Sequence, residues 1–145
     1  MNTKTVESTD VIFGSEYITI PEIGKWSELI TPLVLAEVER YGLEVSGDWI
    51  FISYGRNGGP AARMVHEYCL PVRNIRDYKG ALSVKTLPPF RCAYAGYKGD
   101  LSPEMFGGLG YAPLVEKISG SGKAFTGESR EVYRRWIPPD SPDNE

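Results

Sequence analysis

The sequence predicts an α+β fold built from one β-α-β-β unit used twice. An ungapped shift of the chain against itself carries Tyr17 onto Tyr97, Gly42 onto Gly122 and Gly47 onto Gly127. The same shift carries Leu29 onto Leu109, Val38 onto Ile118 and Ile52 onto Val132. Strand and helix signals recur in the same order in both halves. The two modules run from about residue 8 to 74 and from about 80 to 145.

In the first module, Asp10 to Ile20 is rich in β-branched and aromatic residues, which predicts a strand. From Ser27 to Tyr41, Leu29, Ile30, Leu33, Val34, Val38 and Tyr41 recur at helical spacing, and Gly42 stands where a helix-terminating glycine belongs. Thr31-Pro32 offers an alternative start to that helix. Trp49 to Tyr54 and Met64 to Val72 read as strands joined through the turn residues Asn57-Gly58-Gly59-Pro60.

The second module repeats this order. Leu82 to Tyr97 is strand-like, and Ser102-Pro103-Glu104 combines a capping hydroxyl, a first-turn proline and a carboxylate at the positive end of a helix dipole. That helix carries Phe106, Leu109, Leu114 and Ile118, but Gly107, Gly108, Gly110 and Pro113 weaken it. Arg130 to Trp136 is strand-like, and a partner equivalent to Met64–Val72 would fall past the last residue. Either the chain continues beyond Glu145, or the bare edge pairs with another subunit in a homodimer.

Composition narrows the function. The chain has 145 residues, 41% hydrophobic and 24% charged, which suits one globular domain. Its net charge of −3 and the absence of a basic face argue against nucleic acid as a direct partner. No apolar run is long enough to cross a membrane and the N-terminus has no apolar leader, so a cytoplasmic protein is expected. Cys69 and Cys92 lack metal or redox spacing and read as free thiols. Nine Tyr, three Trp and five Phe suit a half-buried organic ligand as well as a core.

Three stretches resemble the GyrI-like small-molecule-binding domain, found behind DNA-binding domains in bacterial transcription regulators. They are Leu87–Tyr94 (LPPFRCAY), Glu67–Val72 (EYCLPV) and Arg130–Asn144 (REVYRRWIPPDSPDN). The resemblance implies two fused β-α-β-β modules, a curved antiparallel sheet with two main helices, and a ligand groove between the modules. In multidrug-binding members a strand carboxylate meets cationic aromatic ligands. Other members resemble hydrolases that open cyclopropane-bearing alkylating natural products, and one inhibits gyrase by contacting it. The missing final strand and the glycine-rich second helix depart from the pattern.

Glu67 stands in an otherwise apolar strand, on the face of Val65 and Cys69 and opposite Tyr68 and Leu70. A carboxylate in such surroundings seeks a cation or a proton, whereas on an open sheet face it would simply be solvated. Glu131 and Tyr133 share a face of their strand, where they could polarise a bound group or pair across the sheet. The candidate catalytic residues are therefore Glu67, Glu131 and Tyr133. The candidate ligand-binding set adds Trp49, Tyr54, Tyr94, Tyr97, Tyr111 and Trp136, each of which could equally be core. His66, the only histidine, faces away from Glu67; neither metal-ligand spacing nor a phosphate loop occurs, so no metal or cofactor is expected. The function expected first is stand-alone binding of a flat, apolar or cationic organic molecule. Hydrolysis of an electrophilic small molecule and inhibition of a larger enzyme are the alternatives.

Overall fold

A computed structural model describes residues 2–55, 61–102, 106–134, 142 and 144–145. The chain divides into two compact units, one of Met1–Glu7, Pro89–Thr126 and Tyr133–Glu145, the other of Ser8–Pro88 and Gly127–Val132.

The second of these units holds a sheet in the order β6-β2-β5-β4-β8: Ser83–Leu87, Thr9–Ile18, Met64–Arg73, Trp49–Tyr54 and Glu128–Tyr133. A two-residue strand β3, Glu44–Val45, pairs with the end of β5. The pairings of β2 with β5, β2 with β6 and β4 with β5 are antiparallel. Helix α1, Ile23–Arg40, packs on one face, where Trp26 meets Phe51 and Tyr68 edge-on at centroid distances of 6.2 and 6.4 Å. Gly14 permits this approach, since a Cβ there would stand 2.5 Å from Ile30 Cδ1. The opposite face buries its own cluster of Val11, Ile52, Cys69 and Leu87, with Phe13, Ile50 and Tyr54 packed against it. β5 is therefore buried on both faces, and a chain reading MVHEYCLPV is nearly all buried rather than alternating.

The helix starts four residues before Ser27. Thr19 and Glu22 set the entry: Thr19 N–H and Oγ1 both donate to Glu22 Oε1, at 3.1 and 2.8 Å, across a single 3₁₀ turn. The helix runs through Pro32, which is exposed and forfeits one backbone bond. It ends at Arg40, and Gly42, with a φ of 61°, closes a Schellman turn in which Leu43 N–H donates to Val38 O and Gly42 N–H to Glu39 O.

The other unit pairs β1, Asn2–Val6, antiparallel with β7, Phe90–Tyr94. Its helix opens with a π-helical segment, Gly107–Tyr111, and continues as α2, Ala112–Gly120. A wide turn of three glycines lies directly before Pro113, which has no N–H to donate to it. Two expectations change here. The single strand over Leu82–Tyr97 is two strands in two separate sheets, because consecutive prolines at 88 and 89 supply no ladder donors. The polar N-terminus is itself a strand.

Several repeat mates occupy matching elements. α1 ends at Arg40 and α2 at Gly120, and Gly42 and Gly122 each follow with positive φ, 61° and 76°. β4 at Trp49–Tyr54 has its counterpart in β8 at Glu128–Tyr133. Tyr17 lies within β2, whereas Tyr97 lies just past the end of β7. The 57–60 turn, the start of the second helix at Pro103-Glu104 and the strand end at Trp136 lie outside the described residues.

Candidate functional site

Register builds the site. β2 places Ser15 opposite Glu67 and Phe13 opposite Cys69, β4 places Ile52 opposite Glu67, and β6 places Lys85 opposite Val11. Opposed residues share a face, so Phe13, Ile52, Tyr54, Glu67, Cys69 and Lys85 all lie on the side away from α1.

Glu67 is 8% exposed. Both its oxygens accept from Lys85 Nζ at 2.7 Å, and Tyr54 Oη donates to Oε1 at 2.6 Å. The Lys85 ammonium also stands 4.4 Å from the centre of the Phe13 ring. A carboxylate and an aromatic face thus hold a cation, with a phenol bonded to the carboxylate, and here the cation is the protein's own lysine. Lys85 is the accessible member, its side chain 33% exposed against 10% for Glu67.

The surroundings are dry. Burial, and then the hydrogen bond and charge of Glu67, raise the Tyr54 phenol well above its ordinary range. Burial and the Glu67 charge push the Cys69 thiol up to about 12, against the weaker opposing influence of Lys85 and Arg130. Both groups are neutral at physiological pH.

The other candidate residues are distributed more widely. Trp49 is on the α1 side of the sheet, stacked on Tyr68 at 4.6 Å and 9°. His66 is on that side too, fully buried, 2.9 Å from Ser53 Oγ through Nδ1 and stacked on Phe51. Glu131 and Tyr133 are half-buried in β8. In the other unit, Tyr94 carries Lys4 Nζ 4.5 Å above its ring. Tyr97 and Tyr111 are brought together through Phe106, at centroid distances of 5.0 and 5.3 Å. Gly110 makes room for that ring, since a Cβ there would lie 2.5 Å from Phe106 Cδ1. Trp136 lies outside the described residues. Among the described residues no cluster of three His, Cys, Asp or Glu is arranged to hold a metal ion, and no helix is long and apolar enough to cross a membrane.

Lys85 and Phe13 were missed by sequence reasoning. The available signal was parity: in SVKTL, Lys85 alternates with Val84 and Thr86 and shares a face with the buried Leu87. A lysine on the apolar face of a strand needs a counter-charge.

No family model and no curated protein matches the chain. Solved structures do. The crystal structure of the EcmrR C-terminal domain superposes with a TM-score of 0.80 at 20% identity, over 99% of this chain and 90% of that one. EcmrR in a cryo-EM structure of an EcmrR–DNA complex superposes at 0.79 and 20%, over 99% of this chain and 53% of that one. SAV2435 bound to tetraphenylphosphonium superposes at 0.63 and 12%, over 99% and 87%. At these identities the likeness is one of fold: the chain has the two-helix α+β architecture, with a curved, open antiparallel sheet, that the GyrI-like resemblance implied.

Proposed function

We propose that this domain binds a small organic cation with an aromatic or apolar body, and that the cation enters by displacing Lys85 from Glu67. One observation carries the reading: a buried carboxylate is paired with a partly exposed lysine over an aromatic ring. Taking a carboxylate out of water costs several kcal/mol unless a cation and hydrogen bonds compensate it. Tyr54 supplies the hydrogen bond permanently, and the Lys85 head group, on a flexible stem, is the exchangeable part. A ligand with positive charge and flat apolar surface replaces the ammonium and adds apolar contact that the lysine lacks. The fold-level likeness to SAV2435, solved with an aromatic cation bound, supports the choice of ligand class.

Calorimetric titration with tetraphenylphosphonium and with neutral triphenylphosphine oxide tests the proposal. Glu67→Gln should weaken the cation by about tenfold or more, since a hydrogen-bonded charge contact is worth roughly 1.5–3 kcal/mol. The neutral compound should be nearly unaffected. Equal weakening of both would assign Glu67 a structural role and remove the proposal's basis.

A further inference from the structure

The end of β2 is a strand edge beside a cleft that has apolar walls on α1 and polar residues, Ser15, Glu16 and Ser83, at its rim. β6 accompanies β2 only as far as the pair Phe13↔Ser83, whereas β5 follows β2 to the pair Ile18↔Met64. Among the described residues, Gly14–Ile18 therefore has a strand on one side and none on the other. Within it only Tyr17 has backbone groups bonded to side chains, its N–H donating to Glu16 Oε1 at 3.4 Å and its carbonyl accepting from Arg63 at 3.5 Å. Along this edge lies a cleft of about 430 Å³, walled by Trp26, Leu29 and Leu33 of α1 and by Leu82. A second cleft, of about 160 Å³, adjoins it through Leu33, Ala81 and Leu82 and extends it toward Arg40. Leu29 and Leu33 are 62% and 56% exposed, high for leucines in the wall of a cleft.

We infer that this edge receives an extended peptide segment of a partner protein, which adds a strand to β2 and lays alternate apolar side chains against α1. An open edge is matched by another backbone, since only a strand offers donors and acceptors at the same repeat. Side-chain alternation then sends every second partner residue toward the cleft. Charge narrows the partner further. Glu16 is the charged residue in the wall of the larger cleft, so a basic side chain near the end of the segment is favoured. A second copy of this chain is a poor occupant. Two-fold pairing of Gly14–Ile18 with itself would bring Gly14, Glu16 and Ile18 to the cleft side and set the two Glu16 carboxylates directly opposite each other, which is unfavourable.

Selection from a displayed library of random octapeptides on the intact protein, followed by amide hydrogen exchange, tests this. The expected winners alternate apolar and polar residues and carry Lys or Arg. At saturation they should slow exchange within Gly14–Ile18 by about tenfold or more. Leu33→Lys should weaken the selected peptide by about tenfold, whereas Leu35→Lys, on α1 outside the cleft wall, should not. Three results would overturn the inference. No peptide is enriched; or the enriched peptides leave exchange at Gly14–Ile18 unchanged; or exchange there slows with protein concentration alone while sedimentation shows a dimer.

Discussion

Lys85 Nζ stands 2.7 Å from both carboxylate oxygens of Glu67, the shortest charge contact on this face of the sheet that involves a buried carboxylate. Removing the lysine strands a buried charge. Lys85→Met should lower stability by roughly 2–4 kcal/mol, somewhat less than the roughly 3–5 kcal/mol usual for breaking a fully buried pair, because Lys85 is partly exposed. Adding Glu67→Gln should recover most of the loss, and tetraphenylphosphonium should raise the melting temperature of Lys85→Met more than that of the parent. Additive losses in the double variant would show that the two side chains are not coupled.

The two cysteines should differ sharply in reactivity. Cys69 is fully buried with its thiol pushed up to about 12, whereas Cys92 is half-buried in β7. A thiolate-specific reagent at pH 8 should modify Cys92 in the native protein and reach Cys69 only on unfolding. Equal labelling of both under native conditions would contradict the burial of the Glu67 face.

Stability should fall on the alkaline side. Tyr54 and Cys69 hold their protons more tightly folded than unfolded, because burial and Glu67 disfavour the anions. Their contribution is whole below the ordinary values of 10.0 and 9.0 and is lost as pH rises through the raised folded values. Tyr54→Phe should be less stable at pH 7 by about 1–2 kcal/mol through loss of the bond to Glu67. Above pH 10 its urea midpoint should decline less steeply than that of the parent. Parallel curves would mean the Tyr54 phenol is not protected.

At Gly14 the limit is space. A methyl group would meet Ile30 Cδ1 and Cγ1 at 2.5 and 2.7 Å, in the contact that seats α1 on the sheet. Gly14→Ala should cost roughly 1–3 kcal/mol by overpacking. Ile30→Val, which removes Cδ1, should relieve part of that cost in the double variant. At Gly42 nothing lies within 4 Å of the built Cβ and only the positive φ matters. Gly42→Ala should therefore cost about 1 kcal/mol, and Gly42→Asn less. Denaturant midpoints of the four variants check both mechanisms.

The repeat and its glycine caps were legible because helix ends are local: Gly42 and Gly122 adopt the backbone that their spacing implied. Glu67 was legible as an odd carboxylate in an apolar strand. Its partner was not, because Lys85 reaches it across β2 from β6, and strand order is a property of the whole sheet. Trp49 and Tyr54 show a signal left unused. Five positions apart in one strand is an odd step, so they face opposite ways; Tyr54 joins Glu67 while Trp49 stacks on Tyr68. β1 was invisible because Asn-Thr-Lys-Thr is exposed on both faces and shows no alternation.

That first strand has a consequence for the order in which the protein forms. Asn2 pairs with Tyr94 and Val6 with Phe90, so during synthesis β1 waits for a partner about ninety residues later. At roughly 5–20 residues per second this leaves β1 without its ladder for several seconds on the ribosome. Closing so long a loop costs about 4 kcal/mol beyond a constant, a cost that falls if β2, β5 and β6 have already gathered the intervening chain. β1 should accordingly dock last: a late, slow event in refolding, and the first strand released when the protein is pulled from its N-terminal end.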